Sequence, residues 1–525
     1  MTSEAASTAD GPLPSATERS RIGRGETTAR SQPRVLSLAL ILVAACGVGA
    51  WLLVALVHLD DRYRVQHLQG VWMSLASYAN EGVVYPALFD GRHYGGTRWM
   101  PLQILVNGAA ARVTGEYLTS GKVVGGLLMA ALVGVMVVKL WRMGCPRPIA
   151  LALAATVVTT KTGLQAGTTI GGDVLPVALQ IAAVGLMTRD KSRWSAAGAG
   201  ALAALALAAK LTAVWALLAS IVWLAARRRW RSLSELGASF AAVAAVLLVA
   251  VQVASDGRML ENLTTFAFAG VSGAGGLARA PNQVLYNLEG FGLGAWALLP
   301  FAAVAMLTVG GWKRLSLLQL ALLWSLAILL VVYMDIGTGF NQVIDVVVLT
   351  LLVVGELAAR WASRADSRTL VLIVGVAVLW AAGTGIVLVQ VPEVREAAAD
   401  LASAQDVPPQ NDPVLRVIGP GDEVLSEDPY VALLLGRRPV VLDPFMLLRL
   451  ERTQPEAVTA LVERIDRRDF DVVVLVVSLE PKSDYWWTDY HFGTRVVAAL
   501  RQSYEFDETA GRYYVYRPFS SDEET

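Results

Sequence analysis

Two cysteines and four histidines in 525 residues leave little room for several kinds of chemistry. Cys46 falls inside the first long apolar run and Cys145 in a short basic stretch, a placement that excludes an extracytoplasmic disulfide framework and argues against redox chemistry. His67 and His93 have no partner at metal-ligand spacing, so a structural or solvated role is expected of both. No Walker loop, dinucleotide fingerprint, zinc spacing or nucleophile elbow is present, which makes ATP and nucleotide sugars unexpected donors. The glycine-rich stretch Gly270 to Gly276 has no strand before it and reads as a mobile outer loop. Charged residues make up only 17% of the chain, and Lys+Arg and Asp+Glu balance at 44 each, so net charge identifies no partner. Nucleic acid is not expected as one.

What the chain has in quantity is apolar sequence, 55% of its residues, arranged in long blocks between short basic knots. This is the pattern of a polytopic all-α membrane protein. The tail 1–34 has no apolar periodicity and is expected to be a disordered cytoplasmic segment. Its basic end precedes Val35–Leu59, which is too long for a signal-peptide core and reads as a retained signal anchor. Further candidate spans are Thr119–Leu140, Ile149–Leu164, Asp173–Met187, Ser195–Ala208, Leu211–Ala226, Glu235–Ala254, Gly290–Val309, Leu315–Met334, Val343–Ala359 and Thr369–Val391. These give about eleven crossings, within a range of about nine to thirteen. Pro101–Val113 reads as a re-entrant or interfacial helix, and Ser195–Ala226 as two short helices or one broken near Lys210. With the N-terminus inside, the turns at Arg142/Arg147, Arg189/Lys191/Arg193, Arg227–Arg231, Lys313/Arg314 and Arg360–Arg368 all fall on the cytoplasmic side. The acids and the longer loops then face outward from a plasma membrane.

The membrane domain is expected to cover 35–392, with a first outer loop over 60–100. From 393 to 525 the pattern changes to short apolar runs alternating with helical periodicity, the signature of a small extracytoplasmic α/β domain. Its expected strands are Glu423–Ser426, Pro439–Leu442, Asp471–Val477 and Arg512–Tyr516. Its expected helices are Tyr430–Leu435, Pro455–Arg467 and Phe492–Gln502. Tyr485, Trp486 and Trp487 read as an exposed aromatic cluster or, more commonly, a docking surface onto the membrane part.

The first outer loop opens on Asp60-Asp61-Arg62, continues through Trp72 and Gly82-Val83-Val84-Tyr85-Pro86, and closes on Tyr94-Gly95-Gly96-Thr97-Arg98-Trp99-Met100-Pro101. Later come Gly171-Gly172-Asp173 at a span start, Ala208-Ala209-Lys210-Leu211-Thr212, and Gly337 to Asp345 with Asn341 inside it. This order of motifs resembles the GT-C superfamily of integral-membrane glycosyltransferases. It is most similar to the branch of aminoarabinose transferases, protein mannosyltransferases and lipopolysaccharide-core galacturonosyltransferases. The Asp-Asp pair stands where many relatives have Asp-Glu, so either acid can correspond to the family's catalytic one.

The resemblance implies inverting transfer of a hexosyl or pentosyl group from a polyprenyl-phosphate donor to a lipid, glycan or protein acceptor at the outer membrane surface. Phosphate leaves as a stable anion, so such a transfer calls for a base on the acceptor hydroxyl and cations on the phosphate. Asp60 or Asp61 is the expected base, with Asp173 orienting the acceptor or sharing a divalent metal ion. No cofactor is required by the motifs, and metal dependence stays open. Lys210 is the leading phosphate cation, because an ammonium in an apolar helix needs an anion or a wet cavity. Arg62 and Arg98 follow it, and Tyr85, Tyr94 and Trp99 offer faces for sugar C–H surfaces. Plainer roles compete: Asp173 as a helix cap, Lys210 as a snorkelling side chain, Asn341 and Asp345 as a helix start. A transporter or flippase of a lipid-linked or small polar substrate is the rival function, although no internal repeat supports it.

Overall fold

The computed structural model describes residues 34–60, 67–188, 194–267, 271, 273–309, 311–335, 337–364, 367–403 and 413–519. The N-terminal tail before Arg34, expected to be disordered, lies outside them. The chain is mostly helical, with a small sheet near its C-terminal end. The first helix, α1 (Arg34–Val57), is followed by α2 (His67–Asn80), α3 (Pro101–Thr114), α4 (Tyr117–Arg142), α5 (Arg147–Thr159), α6 (Lys161–Thr168), α7 (Val174–Met187), α8 (Ser195–Ala209) and α9 (Trp215–Ala226). Five helices are long and apolar enough to cross a membrane, or up to seven if each of two bent pairs counts as one span. Four more apolar helices are shorter, among them α7, α8 and α9.

The helix Ile344–Ala362 runs through the middle of the bundle and is buried along almost its whole length, as is α5 beside it. A helix so surrounded reads as continuous apolar sequence, because no face of it meets water. The buried side chain of Gln390, in a π-helical turn, donates to the carbonyls of Gly47 and Val158 at 2.8 Å each and so ties α1, α5 and the last long helix together. Where lipid or protein replaces water, backbone groups freed by a wide turn need such partners.

Several helices are bent or broken. The α5–α6 junction bends by 73° at Thr160, whose hydroxyl accepts from the Gly163 amide at 3.1 Å. The helix Gly273–Phe291 turns by 110° into the segment Leu293–Leu307. Gly273 to Gly276 form the first turn of that helix, so this part of the glycine-rich stretch is not a loop; Gly270 and Ser272 lie outside the described residues. Between α8 and α9 the chain is non-helical from Lys210 to Val214, which settles the reading of Ser195–Ala226 as two short helices. Pro101–Val113 falls within α3, a helix of 14 residues with proline at its first position.

The C-terminal sheet has strands β1 (Val424–Ser426), β2 (Val472–Leu475), β3 (Tyr504–Ala510) and β4 (Tyr513–Pro518) in the order β1-β2-β4-β3. β1 and β2 are parallel, while β4 is antiparallel to both its neighbours. The expected strand Pro439–Leu442 is instead an isolated bridge in which Val441 pairs with Tyr94 of the first loop. Its hydrogen bonds leave the domain, Tyr94 donating to the carbonyl of Val440 at 2.7 Å and accepting from the amide of Leu442 at 2.8 Å. The expected exposed aromatic cluster is corrected in part. Trp487 is fully buried and Trp486 donates to Glu427, and only Tyr485 is exposed.

The bend at Gly163 yields a test. A Cβ there would lie 1.9 Å from the Val157 carbonyl oxygen, whereas one at Gly185 in α7 would meet nothing within 4 Å. Gly163→Ala is expected to destabilise the purified protein by about 2 kcal/mol, the scale of overpacking a tight site, with Gly185→Ala close to wild type. Equal melting of the two variants would show that the α5–α6 bend is not this tight.

Candidate active site

Asp173 stands at the start of α7 without making any capping hydrogen bond. One of its carboxylate oxygens accepts from Lys210 Nζ at 2.6 Å and the other from Asn341 Nδ2 at 2.8 Å. Three residues separated widely in sequence, each at a helix break, therefore meet in one cluster. The break after α8 puts Lys210 in an extended conformation, turning its side chain toward Asp173. The side chains of Lys210 and Asp173 keep only 17% and 15% of their exposure, so neither is snorkelling freely into water. Behind them Asp345, in the first turn of Ile344–Ala362, accepts from the indole of the buried Trp215 at 2.7 Å.

The turn that carries Asp173 is covered by α2. Gln69 accepts from the Ile170 amide at 3.1 Å, and a Cβ at Gly172 would lie 2.7 Å from the Trp72 ring. Trp72 stacks on Trp99 with centroids 4.1 Å apart and planes 7° from parallel. The cluster thus has a paired indole beside it, and Trp99 is half-buried. Ile170 also packs on Gly121 of α4, and the next residue, Lys122, is buried and donates to the carbonyl of His58 at the end of α1. Asp60, two residues beyond His58, is exposed. Asp61 and Arg62 lie outside the described residues.

Other expected site residues are engaged in packing. Tyr85 is fully buried and donates to the Trp99 carbonyl at 2.8 Å; burial pushes its phenol well above the usual range. Tyr94 is buried, donates to the Ala457 carbonyl at 2.9 Å, and is pushed up to about 12 by burial against the opposing charge of Arg464. These two rings hold the loop and dock the C-terminal domain instead of lying open to a sugar. Arg98 forms an ion pair with the largely buried Asp335 and lies 5.1 Å from the Phe445 ring centroid. Its charge joins the first loop, the late loop and the C-terminal domain.

Sequence reasoning missed Lys122 and the Trp215–Asp345 pair. The signal for Lys122 was present, a lone cation inside an apolar span. Trp215 gave none, since an indole in an apolar helix start reads as core. Among the described residues no three His, Cys, Asp or Glu side chains are grouped to hold a metal ion.

No protein-family model matches the chain, and no curated protein matches it in sequence. Solved structures do. ArnT from Cupriavidus metallidurans in the apo state superposes with a TM-score of 0.59 at 14% identity, covering 91% of this chain and 97% of that one. The same ArnT bound to undecaprenyl phosphate gives 0.58 at 14% identity, covering 92% and 98%. The apo oligosaccharyltransferase of Archaeoglobus fulgidus gives 0.51 at 11% identity, covering 92% of this chain and 74% of the other. At such identities the likeness is one of fold, and it runs through the membrane helices and the C-terminal sheet alike. The chain shares its fold with ArnT and with the archaeal oligosaccharyltransferase.

Proposed function

We propose that this protein is a membrane glycosyltransferase that moves a sugar from a polyprenyl-phosphate donor to a lipid, glycan or protein acceptor at the outer face of the plasma membrane. The observation that carries this reading is the meeting of Asp173, Lys210 and Asn341 at three helix breaks beside the stacked Trp72 and Trp99. A fold shared with an ArnT that binds undecaprenyl phosphate supports it. The five long helices, two bent pairs and four shorter apolar helices then make eleven crossings. The N-terminus is cytoplasmic, the membrane domain covers 35–392 and the domain 393–525 is extracytoplasmic.

In this reading the lipid phosphate of the donor binds at Lys210, and the indole pair lies against the sugar. As the anomeric bond to phosphate breaks, negative charge grows on the leaving oxygen, and a fixed ammonium stabilises that charge more than it stabilises the ground state. Asp60 or Asp61 takes the proton from the acceptor hydroxyl. Asp60 follows His58 by two residues, and the His58 carbonyl is held by the buried Lys122. Asp173 and Asn341 hold Lys210 in place before the donor arrives.

Transfer of radiolabelled sugar from a panel of polyprenyl-phosphate sugars, by the purified protein in lipid, tests the reading. Asp60→Asn or Asp61→Asn is expected to lower turnover by about a hundred-fold or more, the scale of a lost general base. Full activity of both single variants and of the double variant would overturn the assignment, and export of labelled donor without transfer would favour a flippase. Lys210→Met is expected to lower kcat/KM by about ten-fold or more, because it removes a charge-assisted contact to phosphate. Unchanged kinetics would remove Lys210 from the donor site.

A further inference from the structure

Two cavities lie away from the Asp173 cluster, on the other side of α2. One face of α2 sends Trp72 against Gly172, while Ser77 and Glu81, farther along, line a cavity of about 520 Å³ between the first loop, the start of α4 and the C-terminal domain. A second cavity of about 340 Å³ has Arg92, His93 and Glu423 on its walls. Arg437 and Arg438 line both, so the two form one groove along the seam. Each is of the size of ordinary small-molecule sites, roughly 300–1,000 Å³.

The charges along the groove do not cancel in pairs. Glu423 is shared by two guanidiniums, Arg92 at 2.7 Å and Arg464 at 3.1 Å. Arg438 pairs with Glu81 at 2.7 Å and lies over the Tyr78 ring. Glu116 is committed to capping α4, accepting from the Leu118 and Thr119 amides. His93 pairs with Asp90 at 3.2 Å. Arg437 is held by the backbone carbonyls of Pro420 and Asp422, and among the described residues no carboxylate forms an ion pair with it. Its fork is thus fixed in place by neutral acceptors with its charge unmatched, in a groove where guanidiniums outnumber the carboxylates free to meet them.

We infer that this seam binds an anionic saccharide. A guanidinium has five N–H donors and favours a carboxylate or phosphate, and Arg437 and Arg92, each with donors beyond those already used, both line the smaller cavity. The larger cavity alternates hydrogen-bonding groups, Ser77, Glu81 and Tyr117, with the apolar sides of Leu118 and Leu433. Sugar rings present the same alternation of hydroxyls and C–H faces. A single inorganic anion would leave most of the groove empty. As a subsite for the acceptor, the groove rests on the transferase reading; as a binding site it does not, and the test below involves no transfer.

The full-length protein in nanodiscs of zwitterionic lipid is titrated calorimetrically with a uronic-acid disaccharide, with its carboxyl-reduced neutral counterpart and with inorganic phosphate. The uronate disaccharide is expected to bind about ten-fold more tightly than the neutral one, with an affinity that falls as salt rises. Arg437→Gln is expected to weaken it by about five- to ten-fold. Should Arg437→Gln disturb folding through its lost carbonyl contacts, visible as a lowered melting point, Arg92→Gln gives the same reading while leaving Arg464 on Glu423. Equal binding of charged and neutral disaccharides, no binding of either, phosphate binding as tight as the disaccharide, or wild-type affinity in the Arg92→Gln/Arg437→Gln double variant would each overturn the inference. A protein that fails to transfer sugar yet binds the uronate would leave it standing.

Discussion

A lysine ammonium withdrawn from water needs an anion in reach, and at the break after α8 that anion is Asp173. Several helix ends are arranged so that this pair can form. The helix must stop at Ala209 for the lysine to leave its axis, α7 must begin at the acid, and the Phe340–Val343 turn must bring Asn341 to the second carboxylate oxygen. Each of these breaks frees backbone groups that an unbroken helix would satisfy internally. Such breaks are tolerated at membrane depth only where protein or a wet cavity surrounds them. The long buried helix Ile344–Ala362 and its neighbour α5 provide that surrounding.

The C-terminal domain is built into the same arrangement. Arg98 reaches from the residue before Trp99 to Asp335, while Phe445 lies over the guanidinium. Tyr94 enters the domain as a bridge to Val441 and places its hydroxyl on the Ala457 carbonyl. The first helix after that bridge is capped by Asp443, whose side chain accepts from the amides of Phe445 and Met446. Burial raises the pKa of Asp443 against the charges of His491 and Arg98. Buried ionic groups are a costly way to gain stability but a discriminating way to fix one register, since a slipped interface leaves a charge without its partner. Here they fix the loop on which Trp99 is carried.

How far this was legible in the sequence follows from what kind of force places each residue. The apolar blocks and the break near Lys210 could be read because membrane depth makes charge and helix breaks conspicuous, and Asp173, Lys210 and Asn341, each singled out in the sequence, meet in one cluster. Tyr85, Tyr94 and Arg98 were read as ligand-facing because an aromatic or cation in an outer loop looks available. Tyr94 is buried by a domain more than three hundred residues away, Tyr85 by Val251 and Met259, and Arg98 is engaged by Asp335, contacts that no local pattern announces. Strand β3 escaped for a different reason. Its middle residues, Glu505 to Thr509, are all exposed, so the alternation that marks a half-buried strand is missing. Pro439–Leu442 had the composition of a strand and found its partner outside the sheet. The glycines at 273 to 276 read as a loop because glycine is a poor helix former, yet tertiary context overrides that preference in the first turn.

In the transferase reading proposed above, Lys210 is the cation that meets the donor phosphate, and its pairing with Asp173 then has a cost for ligand binding. An incoming phosphate must compete with a carboxylate already 2.6 Å away. What the pair gains is preorganisation. An unpaired ammonium in a poorly solvated site would shed its proton or swing toward water, and either response would have to be reversed before each turnover. Held by Asp173, with Asn341 fixing the carboxylate in turn, Lys210 stays in place. The phosphate then brings its own negative charge to an ammonium whose rotamer freedom is already lost, so less ordering is left to be done on binding. The same logic applies at the end of α1, where the buried Lys122 is anchored to the His58 carbonyl, two residues before Asp60. In both places the chain holds a cation by giving it a fixed oxygen partner, the Asp173 carboxylate for Lys210 and the His58 carbonyl for Lys122.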